Sequence, residues 1–527
     1  MVLIRPLALL LTALLALPAA PAVPLLPEDG SDLDARVAKA PLGEAKRYRV
    51  RAVGAHDLQL PAPTLPALAG YTAEAVAAKI QRKPLGQVRL RRMVDEITLK
   101  EFVGSGGRLR EWAARQSSNP QVIVLEQGYL TPAGLARRLP KSQFEETAPG
   151  VYLLRMPLLI AKGATLHVDA TVKQLRLSEE RGAFVVNSGQ LFLTDTQLTA
   201  WRERENGPAS FRDGAKFRPF ITAWGGSQTY IVNSRVASLG YAESKSYGVS
   251  ISQYSPSIVK QMAQPRPTGW LLNSEFVDLW YGFYCYEADD VVLLGNTYRD
   301  NIVYGIDPHD RSQRLVIARN VVHGTRKKHG IIVSREVNDS WVFENRSYDN
   351  HLSGIVVDRS SERNVVANNI VSNNGTDGIT IYESADNLIW RNRAVANRRH
   401  GLRLRNSTDI RLYGNEATAN GLAGIYGHIK DLSGTDRDMR LDPFDPNVSM
   451  VVVGGALTYN GSGPVTIDQP LSVELYDVQM LAPRNGNGIQ MTGVLGQHQS
   501  QVLDILMRQK QAVVIEPDDV VRVADRQ

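Results

Sequence analysis

The chain is 527 residues long, 43% hydrophobic and 22% charged, which is the range of ordinary globular proteins with a large buried core. Its 60 Lys and Arg against 54 Asp and Glu give a net charge of +6, an excess too mild to define a partner by itself. A single cysteine, Cys285, excludes an internal disulfide, so core packing must supply the stability.

Residues 1–22 read as a secretory signal peptide. Arg5 precedes the apolar run 7–17, and Ala20-Pro21-Ala22 offers a cleavage site. The run is too short to span a bilayer and no other stretch could, so no membrane span is expected after its removal. An exported protein rarely meets nucleic acid, and no nucleic-acid partner is expected. The arginine-rich stretch 391–414 then suggests an acidic polymer of another kind.

Residues 23–152 read as a small N-terminal α/β cap. YTAEAVAAKIQRK (71–83) and TPAGLARRL (131–139) are expected as short helices and QVIVLEQG (121–128) as a strand. Residues 153–430 carry a repeat. Glycines followed by an apolar residue stand at 282, 305, 330, 354, 378, 401 and 424, at steps of 23, 25, 24, 24, 23 and 23. Asn296, Asn320, Asn345, Asn369, Asn392 and Asn415 keep the same step. Asn301, Asn350, Asn374, Asn397 and Asn420 follow in phase, with Thr325 the exception. Each repeat is too short for two helices and holds β-rich runs such as NVVANNIVS. The spacing therefore predicts an all-β parallel β-helix whose asparagines stack in ladders. Asn and Gly are also expected at left-handed turn positions. Insertions at 201–217 and 253–270 are expected to wall or cover a site. Residues 431–527 read as the last coils and a C-terminal cap, with SVELYDVQM a strand and HQSQVLDILMRQKQ an amphipathic helix.

Strand alternation sorts the side chains of each rung. Counting from the glycine, positions one and three point inward, as with Ile331 and Val333. Positions two and four point outward: Tyr284 and Tyr286, Asp307 and His309, Val356 and Asp358, Thr380 and Tyr382, Arg403 and Arg405. Asp310, Arg335 and Arg359 begin the following turns. In GIDPHDRS (305–312) polar residues replace an apolar rung that is regular elsewhere, as in GIIVS and GIVVD. His309, flanked by Asp307 and Asp310, is a candidate acid–base group whose tautomer a carboxylate can set. The outward strip of His, Asp, Tyr and Arg suits an extended polymer, about one sugar per coil of about 4.8 Å. Asp307, Asp310 and Asp358 also permit a paired-carboxylate glycosidase, which would leave the arginines without a task.

YGIDPHDRS, the 24-residue coil, the signal peptide and HGIIVSREVNDSW together resemble the periplasmic mannuronan C5-epimerases of bacterial alginate biosynthesis, across essentially the whole mature chain. The resemblance implies a right-handed parallel β-helix in the periplasm that converts D-mannuronate to L-guluronate within polymannuronate. It implies His309 as proton acceptor and Arg335 as the group that neutralises the uronate carboxylate. Tyr304, Tyr284 or a water remain candidates for the donor. Tyr284, Tyr286, Asp307, Asp310, Asp358, Arg359, Tyr382, Arg403 and Arg405 are expected to bind substrate. Polymannuronate is the expected partner, together with periplasmic proteins of alginate export and modification. No cofactor is expected, and no metal: the calcium-binding nonapeptides of secreted epimerases are absent. A uronate lyase using the same base and a non-catalytic scaffold guarding the polymer remain alternatives.

Overall fold

The computed structural model describes residues 47–518 apart from 55–60, 83, 104–110, 112–114, 117–118, 441 and 483–487. The expected signal peptide lies outside the described residues. Everything below concerns the unit that begins at Tyr48.

Three strands make each coil. In the coil carrying the histidine they are Tyr304–His309, Val316–Ala318 and Val321–His323, after which Ile331–Ser334 opens the next. Each pairs in parallel with its counterpart one coil on: His309 over Ser334, Ile317 over Val342, Val322 over Ser347. The stack forms a front, a side and a back sheet around one continuous core. Ile306, Ile317, Val322, Ile331, Val342 and Ile355 are all fully buried in it. The fold is the expected parallel β-helix.

The asparagine ladders stand where the repeat put them. The side-chain amide of Asn345 donates to Asn369 Oδ1 at 3.0 Å, Asn369 to Asn392 at 2.9 Å and Asn392 to Asn415 at 3.0 Å. A second ladder runs from Asn350 through Asn374 and Asn397 to Asn420. The exceptional Thr325 belongs to it through its backbone, its N–H donating to Asn350 Oδ1 at 3.3 Å. Each ladder amide also donates to a core carbonyl, as Asn369 does to Val342 O, so a buried turn leaves few orphan groups.

Asn and Gly take left-handed turn positions, as at Gly295, Asn368, Asn373 and Gly414, but the repeat glycines from 282 to 424 are not among them. Left-handed backbone falls on the residue before each first-ladder asparagine, Arg319, Glu344, Asn368 and Arg391. Gly330 is instead needed for close approach. A Cβ there would lie 2.2 Å from Ser347 Oγ and 2.6 Å from Asn350 Nδ2, where the front strand meets the back sheet.

The N-terminal region does not form one cap. Helices Ala73–Ala77 and Pro132–Ala136 are present, each N-capped by a threonine, Thr72 and Thr131. Gln121–Leu130, however, already belongs to the solenoid, pairing with front strand Leu158–Ile160 and side strand Ala164–Val168. Leu68, Tyr71 and Val76 pack on the outer side-sheet residues Phe192, Tyr230 and Trp270. Tyr48–Val53 lies at the opposite end, antiparallel to Ala512–Pro517, which is itself antiparallel to Ser472–Tyr476. These two reversed strands cover the last open edge. The C-terminal helix expected at 498–511 forms as Gln499–Leu503 and a wider turn over Asp504–Gln509, preceded by Val494–Gln497.

Candidate active site

The altered rung lies on the outer face of the front sheet. Pro308 keeps its inward place over Cys285 but has no N–H to donate. Pairing with the next coil is accordingly interrupted between Ile306–Ile331 and His309–Ser334. One coil upstream the register shifts by a residue between Gly248 and Ser250, a bulge of the kind that re-aims side chains beside active sites.

Between these irregularities lies a cavity of about 220 Å³, lined by Tyr247, Tyr281, Tyr284, Tyr304, Asp307, His309, Ile332, Ser334, Asp358 and Arg359. Its tyrosines pack together: Tyr247 stacks on Tyr281 at 4.5 Å, Tyr304 meets Tyr281 edge-on at 5.1 Å, and Tyr284 lies 6.0 Å from the His309 ring. Burial pushes the phenols of Tyr281, Tyr284 and Tyr304 up, and the nearby Asp307 carboxyl pushes them further, so all three stay protonated.

His309 Nδ1 is hydrogen-bonded to Asp310 Oδ2, which leaves Nε2 as the free ring nitrogen. Burial works against the Asp310 charge, but its bond to His309 and the charges of His309, Arg335 and Arg311 prevail and hold its pKa low. Asp310 sits at φ 38°, a left-handed turn that folds the carboxylate back onto the ring. Asp307 does not share this task. Contrary to the expected flanking pair, its side chain is only 2% exposed, and its Oδ1 has no hydrogen-bond partner among the described residues. Burial, partly offset by His309, pushes its pKa up to about 7. Asp358, two rungs on, is likewise pushed up by burial and accepts from Ser334 Oγ at 2.9 Å.

The arginines divide. Arg335 stands half-exposed, 3.9 Å from Asp310. Arg359 reaches the cavity and lies 3.7 Å from Asp358 and 3.6 Å from Asp442. Arg403 and Arg405 do not stand free in the groove. Arg403 donates to His428 Nε2 at 3.2 Å and lies 3.5 Å from Asp377. Arg405 bonds Glu383 at 2.7 Å and covers the Tyr382 ring at 3.8 Å. Tyr286 accepts a hydrogen bond from Arg311 at 3.2 Å.

Three excursions frame the site. Phe211, from the first, packs on Trp280, and Arg218, just after it, is buried against Asp278 at 3.0 Å. The second carries helix Pro256–Met262, and its Arg266 donates to Arg311 O at 2.6 Å, behind the Asp310 turn. The third follows strand Ile425–His428. Residues 429–448 interrupt the coil, which resumes at Ser449–Val453 with Ile410 over Met450. Arg437 ties this loop to the rung, bonding Glu383 at 3.1 Å and Asp442 at 2.6 Å. Sequence reasoning also missed Tyr247 and Tyr281, although YG precedes the rung three times, at 247, 281 and 304. Arg437 and Asp442 left no such signal.

A larger trough of about 470 Å³ lies along another ridge, lined among others by Lys173, Asp195, Arg235 and Glu275. It holds no histidine, and Arg235 is taken by Glu275 at 2.7 Å, so the smaller cavity is the candidate site. Among the described residues no group of three His, Cys, Asp or Glu side chains could hold a metal ion.

Fold and site define a parallel β-helix enzyme with a histidine–carboxylate pair in an open groove. Residues 267–433 match the family model "Periplasmic copper-binding protein (NosD)". That is less than half the chain, and it lies within the run of regular coils. Relatives are far more extensive. The chain is 60% identical over 484 residues to the mannuronan C5-epimerase of Pseudomonas putida, 92% of this chain and 93% of that one. It is 57% identical over 483 residues to the mannuronan C5-epimerase AlgG of Azotobacter vinelandii, 92% of each. The crystal structure of the periplasmic alginate epimerase AlgG superposes with a TM-score of 0.79 at 55% identity, covering 80% of this chain and all of that one. The chain belongs to the mannuronan C5-epimerase family.

Proposed function

We propose that His309 is the base of this mannuronan C5-epimerase, which converts D-mannuronate to L-guluronate residues within alginate in the periplasm. The observation that carries the reading is the His309–Asp310 pair. With Nδ1 committed to Asp310, Nε2 has the lone pair a base needs.

The C5 proton lies α to a carboxylate and is very weakly acidic, because its removal adds charge to an anion. A guanidinium beside that carboxylate stabilises the enediolate-like intermediate. Arg335 is assigned this role, with Arg359 one coil on as its neighbour. Asp307, which keeps a proton until about pH 7, spares the incoming polyanion a further negative charge. The proton returns on the opposite face, inverting the centre. Tyr304, Tyr284 and water entering the cavity are the candidate donors, and both phenols hold their protons at working pH. Tyr286, Asp358, Tyr382, Arg403 and Arg405 extend the strip along which the polymer lies.

A protein that handles alginate on its way out would act beside the periplasmic export and modification proteins, and co-purification with them tests that association. Proton NMR of polymannuronate incubated with the protein tests the reaction. Guluronate signals are expected in the wild type and not in His309→Ala. Unsaturated chain ends would mean elimination in place of reprotonation.

A further inference from the structure

One buried cation has no part in the mechanism above. Lys245 lies in the turn before strand Gly248–Ser252, only 8% exposed. Its ammonium sits 3.1 Å from the centroid of the Tyr286 ring and 5.4 Å from that of Tyr284. Tyr286 is in register with His309, so the Lys245 ammonium lies about one coil, about 4.8 Å, on the N-terminal side of the base.

The arginines of the groove each have an acidic neighbour in the protein. Arg311 has Glu287, Arg405 has Glu383, Arg359 has Asp358 and Asp442, and Arg335 has Asp310. Among the described residues no carboxylate forms an ion pair with Lys245. The rung beneath it offers only the uncharged hydroxyls of Ser250 and Ser252, in register with Tyr284 and Tyr286. A buried ammonium without a direct ion pair is costly, and a tyrosine face offsets only part of that cost. The chain's own carboxylates act on the ammonium from a distance without pairing with it, and the polymer brings one carboxylate per sugar.

We propose that Lys245 is a carboxylate-binding residue of the groove: its ammonium takes the carboxylate of the uronate next to the reacting one, on the side of the N-terminal coils. This rests on the polymannuronate reading and on His309 marking the reacting position. The groups facing the ammonium are Glu101 from helix Lys100–Val103, Glu287 and Asp310 from the two turns, the Cys285 thiol and the two tyrosine rings. Burial outweighs the acidic groups among them and brings the ammonium down to about 8, so its charge is lost at mildly alkaline pH.

Lys245→Met keeps the alkyl stem over Tyr286 and removes the charge. Steady-state kinetics on polymannuronate should show KM raised about tenfold with kcat within about threefold, as for lost uniform binding. The fall of kcat/KM near pH 8 should disappear in Lys245→Met, and Lys245→Arg should restore KM and carry the fall to higher pH. Lys245→Gln serves if the methionine variant misfolds. Wild-type KM together with an unchanged alkaline fall would overturn the proposal. A loss confined to kcat would overturn it too, placing Lys245 at the reacting sugar. His309→Ala assayed alongside separates the two readings: if that variant stays active the base assignment fails, while the Lys245 KM is judged on its own.

Discussion

The two halves of the outward strip share one backbone and solve opposite electrostatic problems. Beside His309, Asp307 is buried without an ion pair and held up to about 7, and four tyrosines close the wall. Downstream, around Arg403 and Arg405, the cations are already matched by Asp377 and Glu383. A polyanion entering the upstream half meets Asp307, held up to about 7, and an ammonium without an ion pair. In the downstream half it must compete with carboxylates already in place, including Asp442 on Arg359. A β-helix can hold both because its coils are nearly independent, each contacting only its neighbours. Position in a repeat fixes where a side chain points, and its neighbours one coil away fix what it does.

The largest effect should follow from His309→Ala. The residue faces outward, so the fold should survive, while turnover falls roughly 10²-fold or more, the scale for a positioned base. An intact variant with turnover within tenfold of wild type would move the chemistry elsewhere in the cavity.

The next concerns the frame common to both halves. Asn369→Ala removes bonds to Asn345, Asn392 and Val342 in a fully buried ladder. About 3 kcal/mol of stability should be lost in denaturant unfolding, because buried partners are left unpaired. A loss below about 0.5 kcal/mol would show that the ladder is not what holds the turns.

Asp307→Asn sharpens the contrast through pH. A carboxyl whose pKa rises on folding contributes stability that is complete below its unfolded value near ~4 and lost as pH rises through about 7. The variant should therefore be more stable than wild type at pH 8, by of order 1–3 kcal/mol, and converge with it near pH 4. A wild type that melts higher at pH 8 would contradict the account of the upstream half. The smallest effect belongs downstream. Asp442→Asn frees Arg359, and KM should fall by about twofold, more at low salt than at high. An unchanged or raised KM at low salt would mean that Asp442 does not compete with polymer.

The periodic part of this architecture was legible because it is local. The asparagine step places the ladders, and alternation from each glycine places His309, Tyr284, Asp358 and Arg405 on one face. Alternation could not tell which outward residues stay wet. Asp307 and Arg403 lie on the outer face yet are buried, because the excursions and neighbouring rungs cover them. The reason for the glycines was also out of reach, since Gly330 answers to Ser347 and Asn350 on another strand. Pairing of Tyr48–Val53 with Ala512–Pro517 joins the two ends of the unit and carries no local mark. The Arg437–Glu383 tie is lost to a reading that follows the period, because it begins where the period pauses.

The central claim is that His309 removes the C5 proton, and hydrogen exchange tests it most directly. Polymannuronate incubated in heavy water with wild-type enzyme should gain deuterium at C5 of each new guluronate residue, while folded, polymer-binding His309→Ala should place almost none. Exchange at the wild-type rate in that variant would contradict the account.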